Sequence, residues 1–385
     1  MGAAASALRT ALEAELAAPA ATSENSIAAG ILAGRPIVVY GAGECSHWFF
    51  EIAMKMHGCQ PRAVLDRSFA NGGLWQGIPA FAPDDYRPSI EEQRDGLVVI
   101  CVGNRALHGE IQACLSRLGF AHVVFLHDIY EIHNPFNHPP EAALRGLDYF
   151  RENRQRILTA FDLLADDDSR MVYLRFLQTH MQRKPVAMPQ RPRDEQYFPR
   201  DIPLSRGHGS YVCCGAYDGD TVRLLQQTCG KVDTIACFEP EPHIYARLTE
   251  YLQHHAAALA ERILTWPCAV YGHSGQMPFR RGDGLGSRIS DQGSSVVQCV
   301  TLDQALPGLH PTFISMDVEG AEPEVLRGAE RLIRESAPDL GICVYHSADH
   351  VWEIPLQLAA LDIGYKFYLR NYTGFAIETV LYASR

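Results

Sequence analysis

The feature that most constrains this chain is an alternation of short apolar runs with helix-patterned segments, and it occurs twice. In the first stretch Ile37-Val38-Val39-Tyr40 runs into Gly41-Ala42-Gly43, and Ala63 to Asp66, Leu97 to Val102 and Val123 to Leu126 read as further strands. Helical spacing covers His47 to His57 and Leu107 to Leu118. In the second stretch the expected strands are Ser210 to Cys214, Thr234 to Phe238, Ile263 to Val270, Thr312 to Met316 and Leu340 to Tyr345. Two more, Tyr365 to Leu369 and Glu378 to Tyr382, flank the turn Asn371-Tyr372-Thr373-Gly374. Strands that alternate with helices imply parallel sheets covered on both faces. The expected fold class is therefore α/β, with two Rossmann-like doubly wound domains, the second ending in an antiparallel β-hairpin.

Between them, Glu141 to Arg183 has apolar residues at helical spacing, with Asp166-Asp167-Asp168-Ser169 as a stop and restart. Lys184 to Pro203, with five prolines, reads as an extended linker. The predicted organisation is an N-terminal helical segment over 1–30, a nucleotide-binding-type Rossmann-like domain over 31–140, a helical connector and linker over 141–193, and a second domain over 194–385.

Charge narrows the function. The 45 acidic and 34 basic residues leave a net charge of −11, and no basic run offsets it. A nucleic-acid backbone or an anionic membrane is thus a poor partner, and a small molecule is the better one. No run approaches the length of a membrane helix. The first twenty residues are Ala-rich and lack the pattern of a secretory signal, so a short amphipathic helix and a cytoplasmic location are expected. Met1-Gly2-Ala3-Ala4-Ala5-Ser6 matches the myristoylation pattern, which is too short to carry weight. The 11 cysteines are scattered through apolar segments without C-x-x-C spacing and read as buried free thiols, Cys213-Cys214 included.

The chemistry concentrates in the second domain. Gly215-Ala216-Tyr217-Asp218-Gly219-Asp220-Thr221 follows a strand and opens a helix, where a glycine turn lets a ligand approach the backbone. Twenty residues after Gly219, Glu239-Pro240 ends the next strand and places a carboxylate where a ribose diol could bind. Met316-Asp317-Val318-Glu319-Gly320-Ala321-Glu322, with Val325-Leu326-Arg327-Gly328-Ala329 behind it, clusters carboxylates at a further strand end, where ligands of open sheets bind.

From about Asp194 to the C-terminus these segments resemble the FkbM-type methyltransferases, whose signature reads like I-D-V-E-G-A-E followed by E-V-L-x-G-A. Further landmarks stand in family order: Gln196-Tyr197-Phe198-Pro199, Phe238-Glu239-Pro240, Cys268-Ala269-Val270, Thr301-Leu302-Asp303, Tyr345-His346 and the closing hairpin. The resemblance implies a class I methyltransferase sheet, S-adenosylmethionine as cofactor and transfer of its methyl to a hydroxyl. It assigns the cofactor to Gly215, Ala216, Tyr217, Asp218, Gly219, Asp220, Glu239, Pro240 and Ala269. Asp317 and His346 become candidate general bases, with Glu319 and Glu322 as second choices that could instead cap the following helix.

One departure stands out. The family usually has an acid where this chain has Cys213, an acid that helps hold the amino-acid end of the cofactor. Either Asp218 and Asp220 take over that task, or the domain is a non-catalytic module that binds a nucleotide or nucleotide sugar. His346 and His350, four apart with Asp349 between, do not justify a metal, and none is assigned. The Gly-rich stretch from Gly282 to Gly293, with Arg280, Arg281 and Arg288, reads as a mobile lid.

In the first domain Gly41-Ala42-Gly43 precedes Asp66 by 23 residues counted from Gly43. This segment resembles the small Rossmann-type domain ahead of sugar acyltransferases, which implies a nucleotide sugar at Gly41, Gly43 and Asp66. The methyl acceptor would then be a sugar or glycan hydroxyl; a scaffold or homo-oligomer contact is the alternative. An NAD-dependent oxidoreductase ranks third, for want of a hydride-transfer dyad.

Overall fold

The computed structural model describes residues 2–17, 34–54, 60–102, 107–126, 147–182, 186–281, 287–289, 293–374 and 376–385. It divides into two compact units. One comprises Ala18–Leu147 and Gln178–Pro185; the other comprises Met1–Ala17, Asp148–Leu177 and Val186–Arg385. The N-terminal helix Ala3–Ala17 thus belongs with the C-terminal sheet, where Arg9 pairs with Asp162 at 3.1 Å and Arg151 donates to the Leu16 carbonyl.

The first unit carries a six-stranded sheet of β1 (Ile37–Tyr40), β2 (Ala63–Leu65), β3 (Gly73–Trp75), β4 (Ile78–Phe81), β5 (Leu97–Ile100) and β6 (His122–Phe125), in the order β3-β4-β2-β1-β5-β6. β1, β2, β5 and β6 are wholly parallel, as continuous apolar runs predict, and β1, β2 and β5 are buried throughout. The β3–β4 hairpin is an addition to the sequence reading. Its turn, Gln76-Gly77, has positive φ at both residues (50° and 81°), the geometry of a two-residue hairpin, but only Gly77 advertises it in sequence. The helix expected from His47 starts at Glu44 and widens into a π-helical turn over Phe49–Met54; residues 55–59 lie outside the described set.

The second unit is built on a seven-stranded sheet. Its members are β7 (Ser210–Cys214), β8 (Val232–Phe238), β9 (Ala260–Trp266), β14 (Phe313–Met316), β15 (Asp339–Cys343), β16 (Lys366–Asn371) and β17 (Thr379–Ser384). The order is β16-β17-β15-β14-β7-β8-β9, with β9, β8, β7, β14 and β15 mutually parallel and the β16–β17 hairpin antiparallel. This is the expected doubly wound sheet with a terminal hairpin. From β7 the chain moves outward to β8 on one side, and from β14 it moves outward to β15 on the other, so the crevice between those departures lies at the carboxyl ends of β7 and β14.

One expected strand divides. Ile263 to Val270 is not continuous: β9 ends at Trp266, Pro267 interrupts the ladder, and Ala269–Val270 (β10) joins a separate sheet. That sheet runs β10-β13-β11-β12, from β11 (Gly275–Arg280), β12 (Arg288–Ile289) and β13 (Ser295–Val300). Arg280 and 288–289 are therefore strand residues where a lid was expected; 282–286 and 290–292 lie outside the described residues.

The connector folds into helices Leu147–Glu152, Arg154–Leu163 and Asp167–Gln182. Its parts at 141–146 and 183–185 lie outside the described residues. The Asp166 cluster works as read: Asp166 Oδ1 accepts the Ser169 backbone N–H at 2.7 Å and so caps the last helix. The same carboxylate takes the buried Arg370 of β16, whose Nη2 donates to Oδ2 at 2.7 Å, and Arg370 Nε donates to Asp201 at 2.8 Å. Leu164 bridges to Phe367, and Ala165 N–H donates to the Phe367 carbonyl at 2.8 Å, so the connector covers the exposed edge of β16.

Burial of Asp166 works against its ionisation, but Arg370 and Ser169 outweigh it and hold the carboxyl below its ordinary range. A depressed carboxyl contributes stability above its unfolded-state pKa and loses it as pH falls through the folded-state value. Arg370→Ala, which takes the cation from Asp166 and leaves Asp201 with Arg191 alone, is expected to cost about 3 kcal/mol in urea unfolding at pH 7. The difference from the parent chain should shrink as the titration is repeated toward pH 3.

Candidate functional site

Four chain segments meet at the carboxyl end of the seven-stranded sheet, and one missing side chain lets them close up. Gly215, directly after β7, has φ +81°, and a Cβ there would lie 1.9 Å from the Asp317 carbonyl after β14. Only glycine permits that approach. Asp317 N–H donates to the Cys214 carbonyl at 3.0 Å, and Gly215 and Ala216 N–H groups both reach the Phe238 carbonyl, at 3.1 and 3.0 Å. The loops after β7, β8 and β14 are thus stitched through backbone. Gly219, with φ +90°, turns the chain into the helix Asp220–Cys229, and Tyr217 also adopts a left-handed φ of 45°.

Glu239 closes the β8 end. Its two carboxylate oxygens accept the backbone N–H groups of Tyr217 at 3.0 Å and Glu241 at 2.8 Å. Burial pushes its carboxyl up to about 7, against the lowering effect of those two donors. Four lone-pair positions less two leave room for two more donors. Pro240 follows it half-buried, and Ala269 lies buried just beyond the β9 end, where Trp266 stacks on Phe238 at 4.6 Å. Arg281 reaches Glu241 at 3.4 Å.

The two aspartates beside Gly219 have different fates. Asp218 is pinned by two cations, Arg223 at 2.5 Å and Arg247 on its other oxygen. Asp220 opens to solvent, yet surrounding protein together with the charges of Asp218 and Asp317 raises its carboxyl pKa. Cys213 is buried beside Ser315 of β14, and burial pushes its thiol up to about 12, so it carries no charge at neutral pH.

Across the crevice, His346 follows β15 at 1% exposure, held between carboxylates. Its Nδ1 bonds to Glu322 Oε1 at 2.8 Å, while Nε2 lies 3.2 Å from Asp317 Oδ1 and 3.7 Å from Glu319 Oε2. Desolvation disfavours the imidazolium, but Glu322, Asp317 and Glu319 overcome it and raise the histidine pKa well above its usual value. Glu322, fully buried, would be pushed up by desolvation; His346 and His350 instead hold it well below the carboxylate range. Its Oε1 also accepts Val318 N–H at 3.0 Å and Gly320 N–H at 3.3 Å, so it ties down the loop ahead of its own helix. Glu319 sits in that loop at φ +57°.

Sequence reasoning missed Glu378. It lies between β16 and β17 at φ +56°, accepts Gln196 Nε2 at 2.7 Å, and its carboxyl pKa is raised by burial and by the charge of Asp317. No motif flags it, because the hairpin brings it to Asp317 from 61 residues away in the chain. In the first unit the structure brings Gly41 and Asp66 to neighbouring strand ends, with Gly43 two residues beyond Gly41. There Asp66 Oδ2 accepts Ala42 N–H at 2.9 Å and Oδ1 accepts Ser68 N–H at 2.9 Å and its hydroxyl at 2.7 Å.

A doubly wound sheet with a terminal hairpin, a glycine turn after its first strand, and carboxylates after the second and fourth defines a Rossmann-like methyltransferase fold. Residues 214–368 match the methyltransferase FkbM domain family, and this part of the chain is an FkbM-type methyltransferase domain. Among solved structures, a methyltransferase FkbM from Methylobacillus flagellatus KT superposes with a TM-score of 0.74 at 20% identity, covering 99% of each chain. A fibrillarin from Aeropyrum pernix, in complex with natively bound S-adenosyl-L-methionine, aligns over 47% of this chain and 69% of its own at 13% identity, with a TM-score of 0.30. No match is found among curated proteins. Among the described residues no helix is long and apolar enough to cross a membrane.

Because the Gly215 approach leaves no space, Gly215→Ala is expected to lower the melting temperature by at least about 5 °C through strain and clash together. Gly43→Ala, with nothing within 4 Å of its Cβ position, should leave it nearly unchanged.

Proposed function

We propose that the C-terminal domain transfers the methyl group of S-adenosylmethionine to a hydroxyl of a sugar, glycan or sugar-derived acceptor. The observation that carries the reading is the Glu239 carboxylate, fixed by Tyr217 and Glu241 N–H groups with two lone-pair positions left over, beside a glycine turn and facing a second cluster of carboxylates. Glu239 takes the ribose diol, and the turn from Gly215 to Gly219 passes close against the cofactor. Asp218 is committed to Arg223 and Arg247, so the ammonium of the cofactor's amino-acid end falls to Asp220 rather than to the uncharged Cys213.

In the reaction the acceptor oxygen forms a bond to the methyl carbon as the carbon–sulfur bond breaks, and the sulfur keeps that electron pair and becomes neutral. The hydroxyl proton goes to Asp317. Its Oδ1 is buried against His346 while the side chain as a whole remains 34% exposed, which leaves the rest of the carboxyl group facing the crevice. His346 is a positioning residue: its Nδ1 bond to Glu322 fixes the ring so that Nε2 braces Asp317. Alignment of oxygen, methyl and sulfur supplies much of the acceleration.

Calorimetric titration with S-adenosylmethionine tests the cofactor assignment. Binding should be seen with the parent chain and fall about tenfold or more in Glu239→Ala, which loses two hydrogen bonds to the ribose. Because the ionised carboxylate is the better acceptor and its pKa is about 7, affinity should decline as pH is lowered from 8 to 6. In Glu239→Gln that pH dependence should flatten. Asp317→Asn should reduce turnover about 100-fold or more with little change in cofactor affinity. Full turnover in that variant would remove Asp317 from the proton path.

A further inference from the structure

We propose that Asp317, Glu319 and His346 form a site for a divalent cation of the Mg2+ or Mn2+ class beside the methyl acceptor, an inference that rests on the methyltransferase reading of the same crevice. His346 is buried and its Nδ1 is spent on Glu322, so Nε2 is the nitrogen presented to the crevice. Nε2 faces the buried Asp317 Oδ1 at 3.2 Å and Glu319 Oε2 at 3.7 Å, at angles that make a hydrogen bond with neither. With the imidazole proton on Nδ1 toward Glu322, Nε2 and Asp317 Oδ1 face each other as two buried acceptors and carry an uncompensated desolvation cost. A cation between them removes it.

The spacing suits coordination. Ligands about 2.1 Å from a metal ion at tetrahedral or octahedral angles stand about 3.0–3.4 Å apart. Asp317 Oδ1 and His346 Nε2 meet that at 3.2 Å, and Glu319 Oε2, 3.7 Å from Nε2 on a side chain 24% exposed, needs only a small rotation. Donor atoms of Asp317, Glu322 and His346 also fall within 4.8 Å of one another. Glu322 stands behind the ring on the Nδ1 side, however, where a carboxylate orients a metal-binding histidine and fixes its tautomer. Two carboxylates and one imidazole leave coordination positions for water and an acceptor oxygen, as hard divalent cations require. The cation would hold the acceptor hydroxyl and make it more acidic, and the proton would still leave to the crevice-facing part of Asp317.

The test uses the full chain after chelator treatment and dialysis, titrated with MnCl2 by calorimetry and by the loss of the free Mn2+ electron-spin-resonance signal. One Mn2+ per chain is expected. Asp317→Asn, nearly isosteric, should weaken it about tenfold or more, and Glu319→Gln should weaken it measurably with an unchanged thermal melt. Glu239→Ala should keep Mn2+ and lose S-adenosylmethionine, whereas Asp317→Asn should lose Mn2+ and keep S-adenosylmethionine. No Mn2+ uptake by the folded chain at millimolar concentration, or uptake unchanged in both Asp317→Asn and Glu319→Gln, overturns the site. Mn2+ uptake that obeys the variants without any S-adenosylmethionine binding would sustain the metal site and overturn the cofactor assignment.

Discussion

The arrangement of this domain turns on a single buried carboxylate. Glu322 has no exposure, and taking an ion of its size out of water costs several kcal/mol unless donors replace the solvent. Two of the replacements are backbone N–H groups of Val318 and Gly320 and a third is the His346 ring. The backbone donors fold the loop after β14 back upon its helix, which puts Asp317 and Glu319 at the crevice. The histidine donor draws the residue after β15 to the same point. One desolvated group thus brings two strand ends into register, and no other carboxylate of the cluster could do so, because Asp317 and Glu319 remain partly exposed.

The parts of the fold legible in sequence are those in which a local signal and the tertiary environment agree. β1, β7 and β14 are short runs buried on both faces at nearly every position, and parallel strands in that setting are predominantly apolar, so the sequence marks them plainly. Glu239 and Asp317 were legible for a related reason, since each directly follows such a strand. β11 and β13 escaped notice because one face of each is open: their residues alternate between exposed and half-buried, and Pro278 sits inside β11. Pro267 broke what looked like one strand, a reminder that a missing N–H outweighs an apolar pattern. Glu378 and the Asp218–Arg247 ion pair were out of reach for another reason, because each depends on a partner far along the chain.

Cys213 sharpens the contrast between a residue's position and its chemistry. It stands next to Ser315 in the sheet, buried among apolar side chains, and its thiol holds its proton far above neutral pH. The charge that an acid would bring to this strand end has its nearest substitutes in the following turn. Asp218 cannot supply it while two arginines neutralise it. Asp220 can, because it lies in the first turn of its helix, reaches solvent, and feels Asp317 across the crevice.

The two units place an acid at the same topological position, just past the strand that follows the glycine turn, and use it in opposite ways. Asp66 is short, and its oxygens fold back upon Ala42 N–H and upon the backbone and hydroxyl of Ser68, so the carboxylate serves as a turn lock and a cap for the helical turn Arg67–Phe69. Glu239, one methylene longer, takes Tyr217 N–H on one oxygen and Glu241 N–H on the other, and keeps a lone pair on each. The glycine turns differ in parallel: a Cβ on Gly41 would lie 3.0 Å from the Cys101 carbonyl, a tight fit, whereas one on Gly215 would lie inside the Asp317 carbonyl. Nearly the same strand order therefore yields an acid with three of its four acceptor positions taken in one unit and an acid with two taken in the other. That difference, rather than the glycine pattern both share, is what sets the two turns apart.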